Sequence, residues 1–312
     1  VAPVAATTCD LDRGLIKGRV PYGAPIALGH EFVARVVEVG DQVRGVAPGE
    51  LVVVPGQISC GDCDRCRAGS TAFCRAVPPN SMYGLGPLVG DWGGGFSDRV
   101  RVPFADGMLV RLPRGVAPET VAAAGDNLTN AFEVVVPHLE RQPGASVLVA
   151  GVGATGLYAV QMARAAGAAW IGYLDHDRAR LERARALGAT PIEVRRGAPK
   201  PTLEREYDVA VDARGEPEDL ALLLRSLAPR GICTSVSLYF NDVPLPLLDM
   251  FRRGIRLEAT RTNVRAHLPG VLSLVESGRL DPAAVTTETR DWEDLPRALV
   301  EPSMKPVFVR GA

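Results

Sequence analysis

Four thiols, Cys60, Cys63, Cys66 and Cys74, are spaced by two, two and seven residues in the stretch CGDCDRCRAGSTAFC. That spacing lets one short loop wrap four thiolates round a tetrahedral ion, and zinc suits four soft sulfur ligands best. Four protein ligands leave no open position for a substrate, so the predicted zinc is structural. Two other uses of such cysteines fit less well. Disulfides belong to exported proteins, and no segment resembling a signal peptide is visible. A zinc ribbon that grips nucleic acid needs a basic face, whereas the formal net charge is -1 and no Lys/Arg-rich face stands out.

The second chemical feature is the turn GVGATG, which supplies Gly151, Gly153 and Gly156 in the G-x-G-x-x-G spacing. The string alone is a weak sign. Here it follows a strand-like run, SVLVAG (Ser146 to Gly151), opens a helical stretch, and is trailed by Asp175 at the end of the next strand-like run. A dinucleotide-binding unit requires that whole context. Gly151 permits the tight turn, Gly153 lets the backbone approach a diphosphate, and Gly156 lets the helix pack close. The diphosphate then rests on free amides at the helix N-terminus. Ala154, Thr155 and Arg180 complete the predicted cofactor contacts. Asp175 accepts from both ribose hydroxyls and repels a 2′-phosphate, which favours NAD over NADP. Arg178 and Arg180 work against that preference, since either reaches a phosphate. The other reading of the turn is a Gly-rich connection in some different α/β enzyme.

These residues need two kinds of scaffold. Residues 28 to about 126 read as β-rich, with EFVARVVEVG (Glu31 to Gly40) and ELVVVPG (Glu50 to Gly56) as β-branched runs punctuated by Gly and Pro. From about Ser146 the pattern changes. SVLVAG, AAWIGYLD, YDVAVDA and GICTSVSL alternate with the helical TGLYAVQMARAAGA, DRARLERARALGA and a stretch around Leu220 to Leu227. Apolar strands alternating with amphipathic helices predict an α/β fold with a parallel sheet covered on both faces. After about Asn263 the chain returns to a helix, LPGVLSLVESGRL, and a last strand, KPVFVR.

The 312 residues, 46% of them hydrophobic, suit a well-buried globular protein of two domains. No apolar run approaches the roughly 20 residues that span a bilayer, so no membrane partner is expected. The near-neutral balance predicts no polyanionic partner. Thiolate ligands suit a reducing, cytoplasmic compartment. The sequence opens on Val1 and reads as cut into at its start.

Cys9 in TTCDLDRG and His30 in GHE are bland when taken separately. Together with the four-cysteine loop and the glycine turn, they resemble the zinc-dependent medium-chain dehydrogenase/reductase family of alcohol, sorbitol, threonine and glucose dehydrogenases. The resemblance covers nearly the whole chain. It rests on the Cys-x-x-Asp of Cys9 and Asp12, on Gly29 to Glu31, on the cysteine loop, on GVGATG with Asp175, and on SGRLDP with Lys305. It implies a doubly wound Rossmann sheet over residues 128–264 and a β-rich GroES-like catalytic domain over residues 1–127 and 265–312. Subunits are implied to pair through Rossmann sheet edges as a homodimer or homotetramer.

The same resemblance implies a catalytic zinc beside the structural one, held by Cys9, His30 and, from AAAGDNLTNAF, Asp126. Glu31 is placed to swing in or support these ligands, and Asp12 to orient the histidine. Asp126 has a second reading as a helix N-cap before LTNAF, which Asn127 fills equally well. The implied activity is hydride transfer between NAD and a secondary alcohol of polyol, sugar or amino-alcohol type, with zinc as Lewis acid on the substrate oxygen.

Two features depart from the family pattern. Its members usually carry Ser or Thr two residues after the first cysteine ligand, where a hydroxyl starts the proton relay; here the residue is Leu11. Eight residues precede Cys9, fewer than the family has, so the first strands of the catalytic domain are expected to be missing from the sequence. The loop from Val77 to Phe96, with Tyr83, Trp92 and Gly93 to Gly95, lies where the family places substrate-facing and interface segments. Its aromatics suit either a pocket wall or packing against those missing strands. Leu11 and the short start also fit a relative that has lost turnover and serves as a binding or scaffold protein. A zinc-free quinone or enoyl reductase on the same fold lacks both cysteine sites, which sets it apart from this chain.

Overall fold

The computed structural model describes residues 1–19, 25–86, 90–195, 201–301 and 303–311. They form two units, Val1–Thr129 with Asn263–Ala312, and Asn130–Thr262. The first unit opens with β1 (Ala2–Thr7), α1 (Asp10–Ile16), β2 (Phe32–Arg35), β3 (Leu51–Val54), α2 (Asp64–Arg67), α3 (Ala105–Met108) and β4 (Val110–Arg111). Helix α4 (Asn127–Arg141) carries the chain into the second unit. There β5 (Ser146–Gly151), α5 (Ala154–Ala165), β6 (Trp170–Asp175), α6 (Arg178–Ala186) and β7 (Thr190–Glu193) follow one another. After them come β8 (Tyr207–Ala213), α7 (Pro217–Arg225), β9 (Leu227–Ser235), α8 (Leu247–Arg253) and β10 (Arg256–Ala259). The chain then returns to the first unit with α9 (Val264–Glu276), β11 (Glu288–Asp291), α10 (Leu295–Ala298) and β12 (Pro306–Val309).

The first unit is built on a six-stranded sheet in the order β11-β12-β1-β2-β3-β4. Strand β1 runs antiparallel to both neighbours, with Ala5 opposite Val309 and Ala6 opposite Phe32. Phe32, Val52 and Val54 are fully buried with Tyr83 and Met108 in one apolar cluster, and the rings of Phe32 and Tyr83 meet edge-on at 5.9 Å. Because β1 ends where β2 begins, Cys9 and His30 both lie just beyond the same end of the sheet.

The second unit is a parallel sheet in the order β10-β9-β8-β5-β6-β7. Counted along this unit, that is the 3-2-1-4-5-6 order of a Rossmann fold, with the order reversing between β5 and β8. Val147, Leu148, Val149 and Ala150 are all fully buried in β5, as a strand covered on both faces requires. Helix α9 starts at Val264, earlier than the expected Leu268. Its buried stripe of Val264, Leu268, Val271 and Leu272 has helical spacing, and Pro269 sits inside it although that residue reads as a helix start. Among the described residues no helix is long and apolar enough to cross a membrane.

Candidate active site and metal centres

The four-cysteine loop closes on itself. The sulfurs of Cys60, Cys63, Cys66 and Cys74 all lie within 4.8 Å of one another, and none is in a disulfide. Amides aim at them: Asp62 and Cys63 donate to Cys60 Sγ at 3.4 and 3.3 Å, and Cys60 donates to Cys74 Sγ at 3.3 Å. The amides of Arg75 and Cys66 pull the Cys63 thiol down to about 6, while burial pushes Cys66 and Cys74 up. Thiols gathered under amide donors without a disulfide form a donor set for a closed tetrahedral ion. The loop is pinned near its end, where Ala72 donates to Asn263 Oδ1 at 3.2 Å.

A second group of potential ligands joins three distant segments. One atom each from Cys9, His30 and Asp126 lies within 4.8 Å of the others. Cys9 is the N-cap residue of α1, and Asp12, three positions on, accepts its amide at 2.8 Å in a capping box. That cap fixes the Asp12 carboxylate, whose Oδ1 faces His30 Nδ1 at 3.4 Å. On the other side of the ring, Nε2 lies 3.7 Å from Asp126 Oδ2. Neither ring nitrogen of this fully buried histidine makes a hydrogen bond. A buried imidazole with both nitrogens unsatisfied is rare. The donor set suits a metal on Nε2 with Asp12 facing Nδ1, the arrangement common to metal-bound histidines.

Electrostatics follow the same layout. Burial acts to lower His30, but the Asp12 carboxylate and the Cys9 thiol hold it well above its ordinary value. Burial raises Cys9, against the pull of His30. Asp126 lies between His30 and its own chain neighbour Asn127. Its Oδ2 accepts from Asn127 Nδ2 at 2.9 Å, and the same amide nitrogen is 3.5 Å from Cys9 Sγ.

Glu31 stands apart from these potential ligands. Its Oε1 accepts the Asn127 amide at 2.9 Å, and its Oε2 pairs with Lys305 Nζ. Burial raises the Glu31 carboxyl to about 7 in spite of the lysine beside it. The buried Lys305 ammonium also donates to Asn127 Oδ1 at 3.1 Å and to Thr8 O at 3.3 Å. Thr8, Glu31 and Asn127 are the chain neighbours of Cys9, His30 and Asp126 respectively. One ammonium with three donors therefore ties together the backbones that carry all three ligand candidates. Sequence reasoning read Asn127 only as a cap and Lys305 only as part of a C-terminal segment, and gave neither a place beside the ligand candidates. The acid of GHE, buried and needing a counter-charge, was the available signal.

The glycine turn has the shape a diphosphate needs. Gly153 is the N-cap position of α5 at φ +74°, a conformation closed to most side chains. A Cβ on Gly156 would lie 2.6 Å from Gly151 Cα, so only glycine brings the helix this close to β5. No side chain caps α5 and no acid lies in its first turn, so its first amides point outward from Ala154 and Thr155. At the end of β6, Arg180 grips Asp175 through Nε at 2.6 Å and Nη2 at 2.9 Å. Burial opposes ionisation of Asp175, but these contacts and the amides of Asp177 and His176 keep its pKa below the usual carboxylate range.

Two sequence expectations resolve into packing. Tyr83 is fully buried and donates to Arg101 O at 2.7 Å, which makes it a core residue of the first unit rather than a pocket wall. Leu11 and Leu15 rest on Met82 and Leu85. Residues 87–89 of the Val77 to Phe96 loop lie outside the described residues.

Residues 1–114 match the family model for the alcohol dehydrogenase GroES-like domain, and residues 154–277 match that for zinc-binding dehydrogenase. A probable zinc-binding alcohol dehydrogenase of Mycobacterium tuberculosis is 34% identical over 298 residues, covering 93% of this chain and 74% of the relative. A glutathione-independent formaldehyde dehydrogenase of Pseudomonas aeruginosa is 31% identical, covering 90% of this chain and 69% of its own length. Among solved structures, an alcohol dehydrogenase from Thermus sp. ATN1 superposes with a TM-score of 0.89 at 32% identity, covering 100% of this chain and 92% of that one. The chain belongs to the zinc-dependent medium-chain dehydrogenase/reductase family.

Proposed function

We propose that the chain is a zinc-dependent oxidoreductase that transfers a hydride between an alcohol and NAD. The observation that carries this reading is the convergence of Cys9, His30 and Asp126 around an imidazole with two unsatisfied nitrogens. Three ligands leave one position open, as a catalytic zinc needs, while the four-cysteine loop leaves none. When bound, the zinc supplies a Lewis acid for the substrate oxygen and the nicotinamide accepts the hydride.

The chain's own residues do the rest. Asp12 keeps the proton of His30 on Nδ1 and leaves the Nε2 lone pair for the metal. Lys305 and Glu31 hold the three ligand-bearing segments in register. The amides at the start of α5 seat the diphosphate, and Asp175 favours an unphosphorylated ribose. Both carboxylate oxygens of Glu31 are engaged, and Leu11 sits among apolar side chains. Solvent is therefore the proposed route for the alcohol proton. An Asp as third ligand favours polyols, sugars or amino-alcohols over simple aliphatic alcohols.

Zinc analysis and a substrate panel with NAD test the reading together. The zinc-loaded protein should hold two equivalents, and Cys9→Ala should lose one of them along with alcohol-dependent NAD reduction. A single equivalent that survives Cys9→Ala removes the catalytic site from this account.

A further inference from the structure

We propose that Asn127 is a positioning residue for the open metal site, its side-chain amide holding Cys9 and Asp126 together and drawing electron density from both. The inference rests on the reading of Cys9, His30 and Asp126 as a ligand set. Asn127 is the first residue of α4 and is buried, and each of its amide groups has a partner. Its backbone N–H donates to Glu31 Oε1 at 2.9 Å, and its Oδ1 accepts from Lys305 Nζ at 3.1 Å. Its Nδ2 donates to Asp126 Oδ2 at 2.9 Å and lies 3.5 Å from Cys9 Sγ.

The oxygen and nitrogen ends of an asparagine side chain are told apart by what they meet. An ammonium has only donors, so the end facing Lys305 is the oxygen and the opposite end is the NH2 group. Its two N–H bonds then match two acceptors, one on each ligand candidate. Asp126 Oδ2 is also the oxygen that faces His30 Nε2, at 3.7 Å. The amide therefore meets the atoms that would bind a metal. Asp12 acts on His30 in the opposite sense, because a carboxylate on Nδ1 makes the imidazole a stronger ligand. An N–H on a thiolate or carboxylate makes it a weaker one, and spreads the negative charge that two anionic ligands bring together. The Lys305 ammonium on Oδ1 polarises the amide and strengthens this pull. The inferred result is an open site that leaves its ion more Lewis acidity than two bare anionic ligands would.

Cobalt placed in the three-ligand site, with zinc kept in the four-cysteine loop, tests this without turnover, because the thiolate-to-cobalt charge-transfer band reports the electron density on Cys9. Asn127→Leu keeps the size of the side chain but has neither donor nor acceptor. Asn127→Asp keeps an oxygen for Lys305 and loses both N–H bonds. The band should move to lower energy in both variants, and Asn127→Leu should hold the catalytic ion about 10- to 100-fold more weakly. In both, alcohol oxidation should need a higher pH to reach half its maximal rate. Zinc retained by the four-cysteine loop shows that a variant has folded, and Asn127→Asp serves alone if the leucine variant does not. A band that stays in place in Asn127→Asp overturns the proposal, because Asn127 then acts only as a strut for Lys305. If the unaltered chain takes up no cobalt outside the four-cysteine loop, the ligand reading itself falls and takes this inference with it.

Discussion

Replacing Lys305 by Met keeps the length of the side chain and removes its charge. The ammonium is 1% exposed and touches Glu31, Asn127 and Thr8, so the change leaves a fully buried carboxylate with only the Asn127 amide for support. Breaking a buried pair by removing one partner costs about 3–5 kcal/mol, because the remaining charge has lost its compensation. For a unit of this size each kcal/mol lowers Tm by roughly 2–4 °C, which predicts a fall of about 6–20 °C in Lys305→Met. The joint also positions three ligand candidates, so catalytic zinc should bind about 10- to 100-fold more weakly while the four-cysteine zinc is retained. Thermal unfolding of the zinc-loaded protein, with metal analysis after dialysis against a mild chelator, reads both effects. Lys305→Met combined with Glu31→Gln should recover much of the lost stability, since no buried charge then remains. A Lys305→Met protein within 1 kcal/mol of the parent, holding both zinc ions, refutes the claim that this pair holds the site together.

Cys66→Ser should lose the structural zinc and lower stability far more than turnover per remaining folded molecule, read by metal analysis and unfolding, because a closed site contributes folding energy. Leu11→Ser or Leu11→Thr should speed alcohol oxidation at neutral pH, where proton removal limits, and do little at high pH; slower turnover at every pH identifies Leu11 as a substrate contact. Asp175 has a folded pKa below its ordinary 3.8, so its contribution to stability is present above that value and is lost as pH falls through the lower one. Asp175→Asn should therefore flatten the acid limb of stability against pH, as followed by urea unfolding. Among the described residues β10 is a sheet edge, and Leu247 and Phe251 of α8, just before it in the chain, are 65% and 85% exposed; light scattering should return the mass of a dimer or tetramer, and a value near 33 kDa at micromolar concentration rules that assembly out.

The features legible in the sequence are those whose partners are near neighbours. The four cysteines and the glycine turn each close within one short segment, so their spacing alone specifies a geometry. Apolar strands such as β5 are equally plain. By contrast β7, β10 and β11 read TPIE, RLEA and ETRD, and polar or mixed edge strands give no apolar run to detect. The triangle of Cys9, His30 and Asp126 spans more than a hundred residues, and it was legible through family resemblance alone. Lys305 meets partners 178, 274 and 297 residues away, a distance that no local pattern encodes. The grip of Arg180 on Asp175 was half visible: both residues stood out, but only the fold brings the guanidinium onto both carboxylate oxygens.

The pairing of β1 with β12, Ala5 opposite Val309, bears on how the molecule is made. A ribosome delivers the chain in order, and domains fold as units while synthesis proceeds. The second unit is one uninterrupted stretch and is complete before β12 exists. The four-cysteine loop is likewise finished early and is ready to capture zinc on a nascent chain. Cys9 and His30 are made before that loop, whereas the lysine that draws their segments together is made only after the whole second unit. The four-cysteine loop can therefore close before the frame around Cys9, His30 and Asp126 is complete.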